Sequence, residues 1–335
     1  MCPTQNPESS PPKKSDHSGH ELSGFRLERH VTTGGMSDIY YAAPAEVSAN
    51  RWIPHRAVKI LRADLAEKPI IRDLFRREAR ILSNYPHPHI VGIYAHGSDE
   101  KVGDYMVLEW LQGQHLKSYL RQAPKIIPND KFCKWLDQLC EALDSLHRRG
   151  VVHQDLKPEN IFLSGIPGRR QVKLLDLGIA LDPKDTEKPK HTAGTLRYMS
   201  PEQLLSENIG AHSDIYALGI VLFEMFTRRP VFTKAEHPDT KEAHLTITAP
   251  KISDVRPDLA VPEAFEALLA SALDKNPAKR PANARILAKE AIAILEAEPV
   301  TIQEIRQHSV VRRSYISAAP QNEGITEDIA TAPPT

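Results

Sequence analysis

The sequence predicts an α+β fold of two lobes: a small β-rich N-terminal lobe carrying one helix, and a larger, mainly α-helical C-terminal lobe. Three observations predict it. At 335 residues the chain exceeds the usual size of one domain, so a large unit or two lobes sharing a cleft is expected. From about Phe25 to Leu111, short β-type runs surround a single helical stretch. From Gly113 onward the hydrophobic period becomes that of helices. The boundaries drawn are 1–22 for a disordered N-terminal segment, 23–112 and 113–297 for the two lobes, and 298–335 for a C-terminal tail.

In the first lobe the strand-like runs are FRLERHV, DIYYA, AVKIL, VGIYAH and YMVLEWL, each rich in β-branched or aromatic residues. The helix, about Ile70 to Ser83, places Leu74, Glu78, Ile81 and Leu82 on one face by their spacings of three and four. In the second lobe Phe132, Trp135, Leu136, Leu139, Cys140 and Leu143 form an apolar stripe that Gly150 ends as a C-terminal cap. Asp214 to Thr227 is apolar nearly all round, the mark of a helix buried at a domain centre. Beyond Pro299 the chain drifts into polar and alanine-proline sequence and reads as a docked or mobile tail.

Composition excludes several function classes. Lysine plus arginine (43) balances aspartate plus glutamate (43), so there is no global field to draw the chain onto nucleic acid or an anionic membrane. Cys2, Cys133 and Cys140 form no CxxC pair, which supports neither a disulfide framework nor a zinc site and fits a reducing, cytoplasmic setting. The N-terminus MCPTQNPESSPPKKSDHSGH carries proline, serine and charge where a signal peptide needs an apolar run. The longest apolar stretch, Ile215 to Phe226, is interrupted by Glu224 and falls short of the roughly 20 residues that cross a bilayer. No membrane insertion is expected.

Several residues carry chemistry when taken together. Gly34 and Gly35 lie between two strand-like runs; alone they read as a hairpin turn, but a glycine turn also lets backbone amides approach phosphate oxygens. Lys59 sits in the apolar strand AVK, and Glu78 sits on the apolar helix face. Burying either charge alone is costly, so a Lys59–Glu78 pair solves both problems and aims the ammonium at a phosphate. HQDLKPEN, His153 to Asn160, puts Asp155 five residues before Asn160, and LLDLG supplies Asp176 after an apolar strand.

This set resembles the protein-kinase signature: glycine loop, lysine of VAIK, helix-C glutamate, HRD loop with its asparagine, DFG and APE, in that order. The wording GTLRYMSPEQ at Gly194 to Gln203, GGM in the glycine loop and SDIYALG at Ser213 resemble bacterial, eukaryotic-like (Hanks-type) serine/threonine kinases. The resemblance covers about Phe25 to Ala297. It implies the bilobal protein-kinase fold, and transfer of the ATP γ-phosphate to serine or threonine hydroxyls of protein substrates, with autophosphorylation, in bacterial signalling. By it, Asp155 orients the acceptor hydroxyl and accepts its proton, Lys157 lies near the γ-phosphate, and Lys59 with Glu78 holds the phosphates. Asn160 and Asp176 hold magnesium, with manganese as an alternative ion. The nucleotide contacts it implies are Val31, Ile39 and Ala57 above the adenine, Phe162 below, and Thr32, Gly34, Gly35 and Ser37 in the glycine loop. The backbones of Glu109 and Leu111 bond the base, with Leu108 as gatekeeper. Asp214 and Gly219 anchor the catalytic loop, and Arg280 pairs with Glu202. A cognate phosphatase is a further partner the resemblance implies.

The chain departs from the pattern at three places. Thr32 and Ser37 replace the first and third loop glycines, which predicts weakened ATP binding. Gln154 replaces the arginine of HRD, so activation is expected without a phosphate beside the catalytic loop, even if Thr192 or Thr195 is modified. Asp176-Leu177-Gly178 keeps an apolar residue in place of phenylalanine. Two rivals stand: a pseudokinase scaffold that binds nucleotide without transfer, and a kinase-like small-molecule phosphotransferase. Lys157, Ser200-Pro201-Glu202 and SDIYALG separate the second rival from protein kinases. Other groupings have plainer readings: His87 and His89 form a His-Pro turn rather than a metal site, the loop holding Trp52 is a surface loop, and Arg76, Arg77 and Arg80 lie near the solvent face of helix C, within reach of an activation-loop phosphate.

Overall fold

The structure, a computed structural model, describes residues 16–46, 53–122, 126–177 and 195–303. Its first lobe is a six-stranded antiparallel sheet. Strands β1 (Glu21–Leu22), β2 (Phe25–Thr33), β3 (Ser37–Pro44) and β4 (Arg56–Leu61) pair in sequence. After α1 (Ala63–Ala66) and α2 (Pro69–Asn84) come β5 (Ile93–Asp99) and β6 (Gly103–Glu109), and β6 inserts between β4 and β5. The five expected runs are all strands. Residues 16–22 were expected to be unstructured; instead Glu21 and Leu22 pair with β2, and Leu22 is buried at 2% exposure.

Helix α2 starts with Pro69 in its first turn and ends at Tyr85, the residue before Pro86, where the proline ring disfavours further helix. Its buried face is Ile71, Phe75, Glu78, Ala79 and Leu82. Leu74, expected on that face, is only partly buried and Phe75 takes its place. Leu27, Tyr40, Ala42, Val58, Ile60 and Val107 fill a separate apolar cluster in this lobe.

Strand β7 (Gly113–His115) and helix α3 (Leu116–Gln122) lead into the second lobe, where α4 (Asn129–His147) carries the expected stripe, every member of it buried. Gly150 holds φ 71°, the left-handed conformation that a C-terminal cap requires. Strands β8 (Ile161–Ser164) and β9 (Gln171–Leu174) complete a three-stranded sheet with β7.

Past the 3-10 turn Thr195–Tyr198 and α5 (Pro201–Leu205) comes α6 (Ala211–Thr227), buried from Ser213 to Thr227 as an all-round apolar helix must be. Around it lie α7 (Thr240–Thr246), α8 (Ile252–Val255), β10 (Leu259–Ala260), α9 (Glu263–Ala272) and α10 (Ala284–Ala297). Phe132, Phe226 and Phe265 pack ring against ring at its centre, with centroids 4.7, 5.4 and 6.2 Å apart. Truncating one such ring to alanine costs about 3–5 kcal/mol. The first residues of the tail dock: β11 (Thr301–Ile302) pairs with β10, and Val300 is buried.

Gly219 packs rather than anchors. A Cβ there would meet Leu273 Cδ2 at 3.0 Å and Ala272 Cβ at 3.3 Å, so this glycine allows α6 to approach the end of α9. Its expected hold on the catalytic loop is replaced by a packing role.

Candidate active site

The site lies where the face of the first sheet that α2 partly covers meets the loops of the second lobe. Strand register puts Ile39 opposite Lys59, Lys59 opposite Met106 and Ala57 opposite Leu108, so all five point to one face. Val31 falls at a register shift between His30 and Thr32 and is 38% exposed. Glu109, the last residue of β6, stands opposite Arg56 and donates its N–H to the carbonyl of Gly92 at 2.8 Å. Its side chain turns to the rear, accepting from Lys173 Nζ at 2.5 Å and from Gly92 N at 2.7 Å. Leu111 packs against the main core. Below, Phe162 on β8 meets His115 edge-on at 5.1 Å. Gly113 beside it is at φ +146°, with β8 so close that a Cβ would fall 2.1 Å from the Leu163 carbonyl oxygen.

The glycine turn is held by a residue that local pattern does not reveal. Gly34 N donates to Ser37 O at 2.7 Å, and Ser37 is buried at 6% exposure. Thr32, by contrast, is exposed. Arg62 closes the turn from outside: its N–H donates to Met36 O at 3.0 Å, and its guanidinium NH1 lies 3.5 and 3.4 Å from the carbonyl oxygens of Gly34 and Gly35. Asp64 fixes that guanidinium through Nε at 3.0 Å and NH2 at 2.8 Å.

Lys59 is the centre of the upper half. Its ammonium donates to Glu78 Oε1 and Oε2 at 3.0 and 2.9 Å and to Asp176 Oδ1 at 2.7 Å, joining the sheet, α2 and the segment after β9. Burial alone would drive the proton off; the Asp176 and Glu78 carboxylates outweigh it and hold the lysine above its ordinary pKa. Desolvation likewise works against the Asp176 carboxylate, yet Lys59 keeps its pKa below the usual value. The Asp176 side chain remains 55% exposed. Leu177 behind it is buried and its N–H bonds the Glu78 carboxylate.

In the catalytic-loop segment, Asp155 Oδ2 accepts from Lys157 Nζ at 2.6 Å and from Asn160 Nδ2 at 3.0 Å, while Asn160 Nδ2 also holds the Asp155 carbonyl at 2.8 Å. Asp155 Oδ1 is buried and has no hydrogen-bond partner among the described residues. Such an orphan is costly unless a ligand completes it. The loop hangs on Asp214, fully buried on α6. Its oxygens accept from His153 N (2.8 Å), Gln154 N (2.8 Å) and His147 Nε2 (2.7 Å). Gln154 sits at φ 66° and its carbonyl accepts from Gln203 Nε2 at 2.9 Å. Gln203 is the fourth residue of a capping box opened by Ser200.

Beneath the Thr195–Tyr198 turn, Arg280 grips Glu202 with two bonds of 2.7 and 2.9 Å, the expected pair, and Ser213 Oγ adds a third at 2.7 Å. Tyr198 donates to Glu224 Oε2 at 2.5 Å. A buried relay runs alongside: Lys275 Nζ to Tyr216 OH at 3.3 Å, Tyr216 OH to His244 Nδ1 at 3.0 Å, and His244 to the Arg197 backbone. Desolvation lowers His244 to about 4.

Some expectations move elsewhere. Arg76 does lie on the exposed side of α2, as expected, but reaches back to pair with Asp104 on β6. His87 and His89 each stand 3.8 Å from Glu141, and among the described residues no group of three or more His, Cys, Asp or Glu could hold a metal ion. Trp52, Gly178 and Thr192 lie outside the described residues. Among the described residues no helix is long and apolar enough to cross a membrane.

The profile of the protein kinase domain matches residues 26–292. The chain belongs to that family. It is similar to the serine/threonine-protein kinase PknH of Mycobacterium bovis, 31% identical over 319 residues, covering 94% of this chain and 50% of PknH. It is also similar to the serine/threonine-protein kinase pkn3 of Myxococcus xanthus, 32% identical over 307 residues, covering 88% of this chain and 53% of pkn3. The chain thus spans about half the length of these relatives. In fold it is similar to the PknI kinase domain of Mycobacterium tuberculosis, with a TM-score of 0.64, 23% identity, and coverage of 83% of this chain and 98% of that one.

Proposed function

We propose that this kinase-family chain transfers the γ-phosphate of ATP to serine or threonine hydroxyls of proteins, itself included. The observation that carries the reading is the Lys59 ammonium bonded at once to Glu78 and Asp176, 2.7 to 3.0 Å away, above an Asp155 whose buried Oδ1 has no partner among the described residues. The residues fit the nucleotide and its ion. Asp176, 55% exposed, and the Asn160 amide are oxygen donors of the hard type that magnesium takes. Bound magnesium ATP would supply the phosphoryl group and the cation that neutralises its charge.

The remaining work belongs to the chain. Asp155 Oδ1 accepts the hydrogen of an acceptor hydroxyl and orients its oxygen, while Lys157 and Asn160 hold Oδ2 and fix the carboxylate plane. Lys59, kept charged by its two carboxylates, holds the phosphate end of the nucleotide. Ile39, Ala57 and Leu108 above and Phe162 below enclose the base, whose polar edge meets the backbones of Glu109 and Leu111. Val31 joins the residues above the base, and Thr32, Gly34, Gly35 and Ser37 form the phosphate turn. Lys157, together with the serine/threonine assignment of PknH and pkn3, supports a hydroxyl acceptor on protein rather than a small-molecule alcohol. Neutral Gln154 supports activation without a phosphate beside the catalytic loop; equal activity of Thr192→Ala and wild type is the expected outcome, and near-total loss rescued by Thr192→Glu would refute it. The proposal extends to lobes at 23–112 and 113–297, a cytoplasmic setting, and a phosphatase that reverses the modification.

The test follows labelled γ-phosphate from ATP into the protein and into a generic basic substrate, with Lys59→Met and Asp176→Ala as controls. Label in phosphoserine or phosphothreonine, absent from both controls, is expected. Nucleotide binding without transfer under magnesium or manganese would establish the scaffold instead, and label only in an aminoglycoside or choline would establish the small-molecule enzyme.

A further inference from the structure

Helix α2 meets the sheet through two sets of charges, and the proposed chemistry uses only one of them. Asp104 lies two residues before Met106 on β6, and Met106 is the cross-strand neighbour of Lys59, so Asp104 and Lys59 share the sheet face that α2 covers. Asp104 is 3% exposed, on a face otherwise lined by Leu61, Met106 and Leu108. Its Oδ2 accepts from Arg72 Nε at 2.9 Å and from Arg76 Nε at 3.0 Å, and its Oδ1 accepts from Arg76 NH2 at 2.9 Å. The two arginines stand one turn apart on α2, each half-exposed. Ser98 on β5 contributes another side-chain hydrogen bond. Burial pushes the Asp104 carboxyl up, and the arginine and serine bonds bring it below its ordinary value.

The two sets have opposite polarity. At Lys59–Glu78 the sheet is positive and the helix negative; at Asp104 the sheet is negative and the helix positive. An apolar interface alone tolerates a slide or a rotation, because neighbouring methyl groups replace one another. Here a one-turn slide, or a rotation that swings Glu78 outward, strips a buried charge of its partner or sets like charges together. Buried ion pairs add little net stability over apolar residues of the same size, and their best-attested use is to fix register.

We infer that Asp104, Arg72 and Arg76 are positioning residues that set the rotation and register of α2 and so hold Glu78 on Lys59. None of the three touches reacting atoms. The inference rests on the kinase reading for its activity readout alone.

The test uses the full chain carrying Asp104→Asn, Arg72→Gln and Arg76→Gln together, which removes every charge of the set and leaves no buried charge alone. Three quantities are read: thermal midpoint, turnover, and the distance distribution between spin labels at Arg80→Cys on α2 and Glu28→Cys on β2. The labels sit in a Cys2→Ser background, Cys133 and Cys140 being buried. The expected result is a midpoint near that of wild type, turnover lower by about tenfold or more, and a broadened distribution; Arg76→Lys, which keeps the charge, retains most of the turnover. An unbroadened distribution overturns the inference whatever the turnover, and so does unchanged turnover in a chain whose wild type is active. If wild type transfers no phosphate, the kinase reading fails and the distance alone decides the positioning role. Should the triple variant unfold, Arg76→Gln alone, which leaves Arg72 on Asp104, is judged by the same criteria.

Discussion

The catalytic loop and the glycine turn face each other across one cleft, and they are held in opposite ways. The loop hangs on a fully buried carboxylate, Asp214, that satisfies two consecutive backbone amides and a histidine from three directions. The turn is closed at its base by Gly34 N on Ser37 O at 2.7 Å and Thr33 Oγ1 on Asp38 Oδ1 at 2.6 Å, but its outer carbonyls, at Gly34 and Gly35, are held by one guanidinium at 3.4 to 3.5 Å, itself a third exposed. Buried bonds of 2.7 to 2.8 Å in low dielectric have no competing water, whereas longer exposed ones do. The lower half of the site is therefore preset, and the upper half is adjustable.

Removing Asp214 should have the largest effect. Asp214→Ala leaves the buried His153 amide and the partly buried Gln154 amide without an acceptor, a loss of roughly 2–6 kcal/mol at about 1–3 kcal/mol per amide. Denaturant unfolding measures it, together with loss of phosphate transfer in whatever folded protein remains. A cost under about 1 kcal/mol would mean that the loop does not depend on this anchor.

The next effect is pH-dependent and also belongs to the lower half. His244 titrates at about 4 when folded against 6.5 when exposed in the unfolded chain, so between these values the unfolded chain binds more protons. Stability should fall as pH drops from about 6.5 to about 4, by at most roughly 3 kcal/mol from this group. Thermal midpoints of His244→Asn and wild type over that window check it. The variant's curve should be flatter, and parallel curves would remove His244 as the cause.

In the upper half the effects should be smaller and kinetic. Arg62→Met, by loosening the turn, should raise KM for ATP about two- to tenfold with little change in kcat, as expected for loss of one weak tie. Gly35→Ala should be milder still: a Cβ there meets nothing within 4 Å, and the residue is not at positive φ. Stability should stay within about 0.5 kcal/mol of wild type. A larger loss at Gly35 than at Asp214 would reverse the comparison.

The same contrast governs what could be read from sequence. Strands, α2, α4 and α6 were legible because hydrophobic period and caps are local signals. Lys59, Glu78, Asp155, Asn160 and Asp176 stood out because charge in an apolar setting, at motif spacing, is conspicuous. Gly219 was misassigned because a packing glycine and an anchoring one look alike in a string of residues. Arg62, Gln203, His244 and Asp104 left no such mark. Arg62 reads as a surface residue after a strand, and its carbonyl partners lie 27 and 28 positions earlier. Asp104 reads as a turn residue ahead of YMVLEWL until α2 folds across it and brings Arg72 and Arg76 from 32 and 28 positions away. The wedge of Leu74 and Phe75 shows the limit of periodicity on a single helix, where a one-residue rotation changes which side chain is inside.

The most direct measurement is single-turnover transfer of labelled γ-phosphate by wild type and Asp155→Asn, with the ATP affinity of each determined in parallel. Asp155→Asn keeps the shape of the side chain and removes its ability to accept a proton. The account predicts matched ATP affinity and a transfer rate lower by about 10²–10⁴ in the variant. Equal rates in the two proteins, or no transfer by wild type, would contradict it.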